Sequence, residues 1–238
     1  MDILKVEFST AEALSFAAVN NGVHLINELY IENTTDKDIL AVDISVSSAQ
    51  GIISSSIYHL DVLPKNLKID VNTLKIDIDQ KYLIALESIT DCEIILKVTA
   101  EGKDLYTKKN IVKVLPYDYW TGTEVYPELT AAFVTPQNID SKKIFHDALS
   151  YLKKWNKSNN FIAYNGENNR VLLEAAAVFN GLYDQHIEIS PIINDNRTLG
   201  LPIRLANVLE TKSGTLSEAA FLYAALLEET GLFGFIWC

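Results

Sequence analysis

The hydrophobic period of this 238-residue chain changes at Pro116, and that change limits the folds open to it. Before Pro116, apolar residues recur at every second position. The segments are "HLINELYIEN" (24–33), "ILAVDISVSS" (39–48), "LKIDIDQ" (74–80), "CEIILKVTAEG" (92–102) and "LYTKKNIVKVL" (105–115). Successive strand side chains point to opposite faces, so this alternation buries one face of a sheet and wets the other. The segments are rich in β-branched and aromatic residues and bounded by Asn, Asp, Gly or Pro, which predicts an antiparallel β-sandwich over residues 1–115. "ENTTDKD" (32–38) predicts a hairpin turn, because short polar side chains bond their own backbone. "LPKNLKI" (63–69) predicts a second turn, where Pro64 is more comfortable than inside a strand.

After Pro116 the period becomes helical. "SKKIFHDALSYLKKW" (141–155) sets Ile144, Phe145, Ala148, Leu149 and Leu152 on one face. "NNRVLLEAAAVFNGLYDQ" (168–185) repeats the pattern with Val171, Leu172, Ala175, Val178, Phe179 and Leu182. "IRLANVLETK" (203–212) is a shorter helix, and residues 215–230 form the strongest one. "LFGFIWC" (232–238) is an apolar, strand-like run without a polar close, which predicts that the parent polypeptide continues and that this domain is truncated. The fold class expected is α+β, with a β-rich domain at 1–115 and a mainly helical α+β domain at 116–238.

Charge narrows the function. Twenty Lys+Arg stand against 31 Asp+Glu, a formal net of −11. Binding to a phosphate backbone needs concentrated cations. The basic pairs Lys108-Lys109, Lys142-Lys143 and Lys153-Lys154 lie in acidic surroundings, which argues against direct nucleic-acid binding. Cys92 and Cys238 make no disulfide framework, and no apolar run reaches the ~20 residues that span a bilayer. A cytoplasmic protein with no membrane partner is expected. His24, His59, His146 and His186 are scattered and lack metal-ligand spacing, so neither a metal nor a cofactor is expected.

The stretch "KSGTLSEAAFLYAALLEETGL" (212–232) concentrates the candidate chemistry. Thr215 and Glu218 have the spacing of a capping box, Ala219, Leu222, Tyr223 and Leu226 form a buried stripe, and Gly231 is a natural terminator. A well-capped core helix accounts for all of these residues. The same geometry also suits a nucleophile, because the first turn of a helix sees the positive end of the macrodipole, which favours a thiolate. Ser217 lies about 100° around the helix from its neighbour Leu216 and reads as a helix-start hydroxyl. Tyr117, Tyr119, Trp120 and Tyr126 form an aromatic cluster that fits either inter-domain packing or a binding surface, and Cys92 reads as a small core hydrophobe.

"GTLSEAAFLYAALLEETGL" closely resembles the nucleophile helix of transglutaminase-like cysteine enzymes, with pattern Gly-x-Cys-x-Asp/Glu, an Ala-Leu run and a closing Gly. Gly214, Glu218 and Gly231 match, whereas the cysteine position falls on Leu216. A longer resemblance begins at "LPYDYWTGTEVYPELTAAFVTPQN" (115–138), which looks like a junction near the N-terminus of very large bacterial superfamily I DNA helicase proteins associated with genome defence. The matching residues are Trp120, Gly122, Pro127 to Phe133, Pro136, Asn138, Arg204, Leu205 and Gly214 to Glu218. No phosphate-loop motif occurs in the chain, so the motor itself is not encoded here.

The resemblance implies an immunoglobulin-like β-sandwich followed by a transglutaminase-like (papain-like) domain. Leu216 has no ionisable atom, so the site at Gly214, Thr215, Leu216, Ser217 and Glu218 is expected to be degenerate and without catalytic residues. The function expected is a non-catalytic accessory or recognition region of a helicase-related protein. Its partner would be a protein, a peptide or another domain of a larger polypeptide, with Tyr119, Trp120, Tyr126 and Arg204 as candidate binding residues. The competing expectation is an active cysteine hydrolase or transferase on peptide or glutamine amides, its thiol supplied by Cys238 or by a partner chain.

Overall fold

The computed structural model describes residues 3–71, 74–122, 125–155, 157, 159–166, 169–190 and 200–234. The chain divides into two units, Met1–Tyr119 and Trp120–Cys238. The first contains β1 (Leu4–Thr10), β2 (Ala13–Leu14), α1 (Phe16–Asn20), β3 (Ile26–Asn33), β4 (Ile39–Ser48), β5 (Ser56–Leu63), β6 (Lys68–Asp70), α2 (Gln80–Ala85), β7 (Thr90–Ala100) and β8 (Lys103–Val114).

Two sheets form, with strand orders β1-β3-β6 and β2-β8-β7-β4-β5. Neighbours are antiparallel except for the short parallel pair β2–β8. The alternation seen in sequence becomes alternating burial. Val42, Ile44 and Val46 of β4 and Ile94, Leu96 and Val98 of β7 share one core with Leu29 and Ile31 of β3. Burial of apolar surface on this scale is what holds a sandwich together, at about 25 cal/mol per Å².

Two sequence expectations are corrected. Residues 74–79 form no strand beyond the isolated bridge Ile53–Ile78, and Gln80 already belongs to α2. Asp79 caps that helix by accepting from the Lys81 and Tyr82 amides, so local capping overrides the alternating pattern. The turn at 32–38 is not a hairpin, because β3 and β4 lie in different sheets. Buried Asn33 fixes this crossover: its amide donates to the Lys37 and Leu63 carbonyls at 2.8 and 3.0 Å, and its Oδ1 accepts from Thr35 N at 3.0 Å.

The second unit contains β9 (Tyr119–Trp120, at the boundary), α3 (Lys142–Lys154), α4 (Arg170–Tyr183), β10 (Glu188–Ser190), β11 (Leu201–Pro202), α5 (Leu205–Thr211), β12 (Ser213–Thr215) and α6 (Leu216–Glu229). Short 3-10 turns at Pro127–Phe133, Pro136–Asn138 and Ala163–Asn165 fill the connections. The molecule is therefore mixed α+β. No helix among the described residues is long and apolar enough to cross a membrane.

In α3 the expected stripe is the packed face, with Ile144, Ala148 and Leu152 buried. In α4 the expected stripe is rotated. The buried residues are Arg170, Glu174, Ala177, Val178 and Gly181, while Leu172 and Phe179 are 73% and 54% exposed. Two contacts set this rotation. Glu174 accepts from Arg170 Nε at 2.7 Å and from the Ile162 and Ala163 amides at 2.9 and 3.0 Å. Gly181 lets α3 come so close that a Cβ there would lie 2.4 Å from the Ile144 carbonyl oxygen.

Candidate functional site

β12 runs directly into α6, with no intervening loop. It pairs in parallel with β10, in the register Glu188↔Ser213, Ile189↔Gly214 and Ser190↔Thr215. Thr215 is still extended (φ −88°, ψ 166°), and the helix starts at the next residue. Its Oγ1 accepts from the Glu218 amide at 3.1 Å, and Glu218 Oε2 accepts from the Thr215 amide at 2.9 Å. The capping box expected from the sequence is complete.

Glu218 does more than cap. It is buried, and its second oxygen, Oε1, accepts from the Arg204 amide at 3.2 Å. One carboxylate thereby ties the start of α5 to the start of α6. Gly214 is also constrained, since a Cβ there would lie 3.0 Å from both γ-methyls of Val208. Gly214 and Glu218, two of the matched positions of the motif, therefore have structural work that requires no catalysis.

Leu216 occupies the first helical position and is 72% exposed. The first-turn amides and the positive end of the dipole are present, but an alkyl group is offered to solvent where a thiol would use them. Ile189, beside Gly214 in the register, is also exposed, between exposed Glu188 and Ser190. Ser217 is half-buried. Behind this first turn Phe221, Leu222 and Ala224 to Leu227 are buried on most sides of the helix, whereas Ala219 and Tyr223 of the expected stripe are half-buried. Gly231, with φ +84°, closes α6: its amide donates to the Glu228 carbonyl at 2.9 Å, and the Leu232 amide donates to the Leu227 carbonyl at 3.0 Å.

The structure thus brings Gly214, Thr215, Leu216, Ser217, Glu218 and Arg204 to one place. Trp120 reaches the same helix deeper in, packing edge-to-face on Phe221 with centroids 5.1 Å apart, and Phe133 meets Phe221 at 6.4 Å. Trp120 is buried, and its Nε1, like the hydroxyls of Thr121 and Thr130, has no hydrogen-bond partner among the described residues. Tyr126 is half-buried at the start of the Pro127–Phe133 turn, and Tyr119 is the half-buried last residue of the first unit. A cleft of about 360 Å³ reaches Lys212, the residue before β12, and is rimmed by Asp140, Lys143, Gln185 and Glu210.

Cys92 is buried in β7, where burial pushes its thiol above the ordinary range. Cys238 and residues 235–237 of the terminal apolar run fall outside the described residues. Among the described residues no group of three or more His, Cys, Asp or Glu could hold a metal ion. Sequence reasoning missed two arrangements: the buried Arg170–Glu174 pair and a histidine held by two carboxylates. His59 Nδ1 lies 2.6 Å from Asp43 Oδ1, and its Nε2 lies 3.4 Å from Asp61 Oδ1. The (i, i+4) and (i, i+2) spacings were visible; the burial of the first and the cross-strand carboxylate of the second were not.

No protein-family model matches the chain, and no curated protein does.

Proposed function

We propose that this chain is a non-catalytic recognition region made of an immunoglobulin-like β-sandwich and a degenerate transglutaminase-like domain. The observation that carries the reading is Leu216. An exposed alkyl side chain stands at the first turn of a fully capped helix, in the position where the resembling enzymes carry their thiol. The strand orders β1-β3-β6 and β2-β8-β7-β4-β5, with the N-terminal strands β1 and β2 divided between the two sheets, support the immunoglobulin-like part. A strand that runs directly into a buried helix supports the transglutaminase-like part. The helicase-related, genome-defence setting and the cytoplasmic location rest on the sequence resemblance at residues 115–138 and 204–218.

The ligand class proposed is an extended protein or peptide segment, bound beside the exposed side chains of Leu216 and Ile189. Loss of the thiol removes covalent chemistry, while the groove that seats an extended chain needs only shape and backbone donors. The test is to present the full chain with glutamine-containing peptides and amine donors. No amide turnover is expected, and peptide binding should weaken at least about tenfold in Leu216→Arg, the effect of ~1.4 kcal/mol. Turnover abolished by Ser217→Ala, or binding indifferent to Leu216→Arg, would overturn the proposal.

A further inference from the structure

The five-stranded sheet ends on β5, which pairs with β4 on one side. On its other side only the last carbonyl, that of Leu63, is engaged among the described residues, by Asn33 Nδ2 at 3.0 Å; the stretch from Ile57 to Asp61 is unpaired there. Such an edge is a row of unpaired amides and carbonyls, and proteins usually blunt it with Pro, Lys, a bulge or a cover. The edge strand β1 of the other sheet has such cover: Lys108 Nζ donates to the Phe8 carbonyl at 3.0 Å. β5, with sequence "SIYHLDVL", contains neither Pro nor Lys and leaves Ile57 and Val62 exposed at 64% and 41%. It is long, β-branched and open.

We propose that β5 is a self-association edge, pairing antiparallel with β5 of a second copy about Leu60, so that each His59 faces the partner's Asp61. The charge pattern selects this occupant and this register. Two identical strands related by a twofold axis perpendicular to the sheet can centre only on a residue facing its own copy, since opposed side chains must share a face. Centring on His59 would set histidine against histidine, and centring on Asp61 would set carboxylate against carboxylate. Centring on Leu60 sets His59 against the partner's Asp61 twice, the one complementary choice among the three. Opposed side chains sit about 5 Å apart in such a ladder, close enough for an ion pair. His59 and Asp61 point to one face, as their contact within a single chain shows.

The geometry makes this association pH-sensitive. His59 is faced by Asp43 from β4 and by Asp61 along β5. The next residue in its row, on β7, is uncharged Thr99, and the nearby Lys97 is engaged at 2.9 Å by Asp104 of β8. The hydrogen bond to Asp43 raises the His59 pKa above the ordinary histidine value, with a smaller contribution from Asp61. A carboxylate from a second copy raises it further, so association takes up protons. It is therefore strongest below the His59 value of the single chain and is lost as pH rises through the value raised further in the pair.

Sedimentation of the full chain over a concentration series tests this. Wild type is expected to self-associate at least about tenfold more tightly near pH 6 than near pH 8.5, which corresponds to roughly one unit of pKa change summed over the two His59 side chains. Asp61→Lys, at a side chain 97% exposed in the single chain, is expected to weaken association at pH 6 by a similar factor or more without altering the thermal melt. His59→Lys stays charged at both pH values and is expected to associate equally at both. A chain that is monomeric throughout the series near pH 6, association indifferent to Asp61→Lys, or pH dependence that survives in His59→Lys overturns the proposal.

Discussion

Glu174 is fully buried and yet fully engaged, and the two facts explain each other. A carboxylate removed from water is tolerated only when its lone pairs are used. Here two backbone amides and the Arg170 guanidinium use them, while Arg170 Nη2 also donates to the Asn160 carbonyl at 2.6 Å. The two partners should therefore fail unequally. Glu174→Leu leaves a buried guanidinium and two amides without their acceptor, at about 4 kcal/mol. Arg170→Met leaves the carboxylate still holding both amides, at about 2 kcal/mol. Urea unfolding of the two variants checks the order, and a larger loss in Arg170→Met contradicts this assignment. Glu218 follows the same logic at the site, where the sequence showed its capping spacing but not its bond to the Arg204 amide.

At the scale of elements, the packing of α3 on α4 depends on the absence of one side chain. Gly181→Ala would place a methyl 2.4 Å from the Ile144 carbonyl oxygen, a backbone atom that can move only with its helix. The helices must separate, at about 2–3 kcal/mol, which lowers the melting temperature of the second unit by roughly 5 °C or more. Calorimetry checks the shift, and an unchanged melt means that the close approach is dispensable. The same contact explains why the buried face of α4 departs from its apolar stripe. Period alone assigns Leu172 and Phe179 to the core. The tight approach at Gly181 and the Arg170–Glu174 pair instead turn that face of the helix away, leaving both residues exposed. α6 was legible because its caps are local: the Thr215–Glu218 box and the Gly231 terminator need nothing beyond their own neighbours.

For the whole molecule, the division at Tyr119 coincides with a division of cores. Every residue of the sandwich core, from Leu4 to Val114, precedes it. A fragment of residues 1–119 is therefore expected to fold alone, with a single cooperative thermal transition by circular dichroism and dispersed amide resonances, as domains of ~100 residues with their own core do. A fragment that stays unfolded would show that the second unit supplies part of the stability.

The sequence by itself determined whatever depends on neighbours a few residues apart. It placed the switch from period two to period 3.6 near Pro116, the alternating strands β4, β7 and β8, the caps of α6, and the alkyl group at position 216. Propensity, capping and side-chain identity act locally, so they can be read along the chain. Tertiary structure decided what depends on residues far apart in sequence. It made residues 32–38 a crossover between sheets rather than a hairpin, rotated α4, buried Glu174, and set Asp43 of β4 against His59 on the open edge of β5. Each of these turns on which surface meets which, and the free energy of burial and pairing is defined only once the partners are in place.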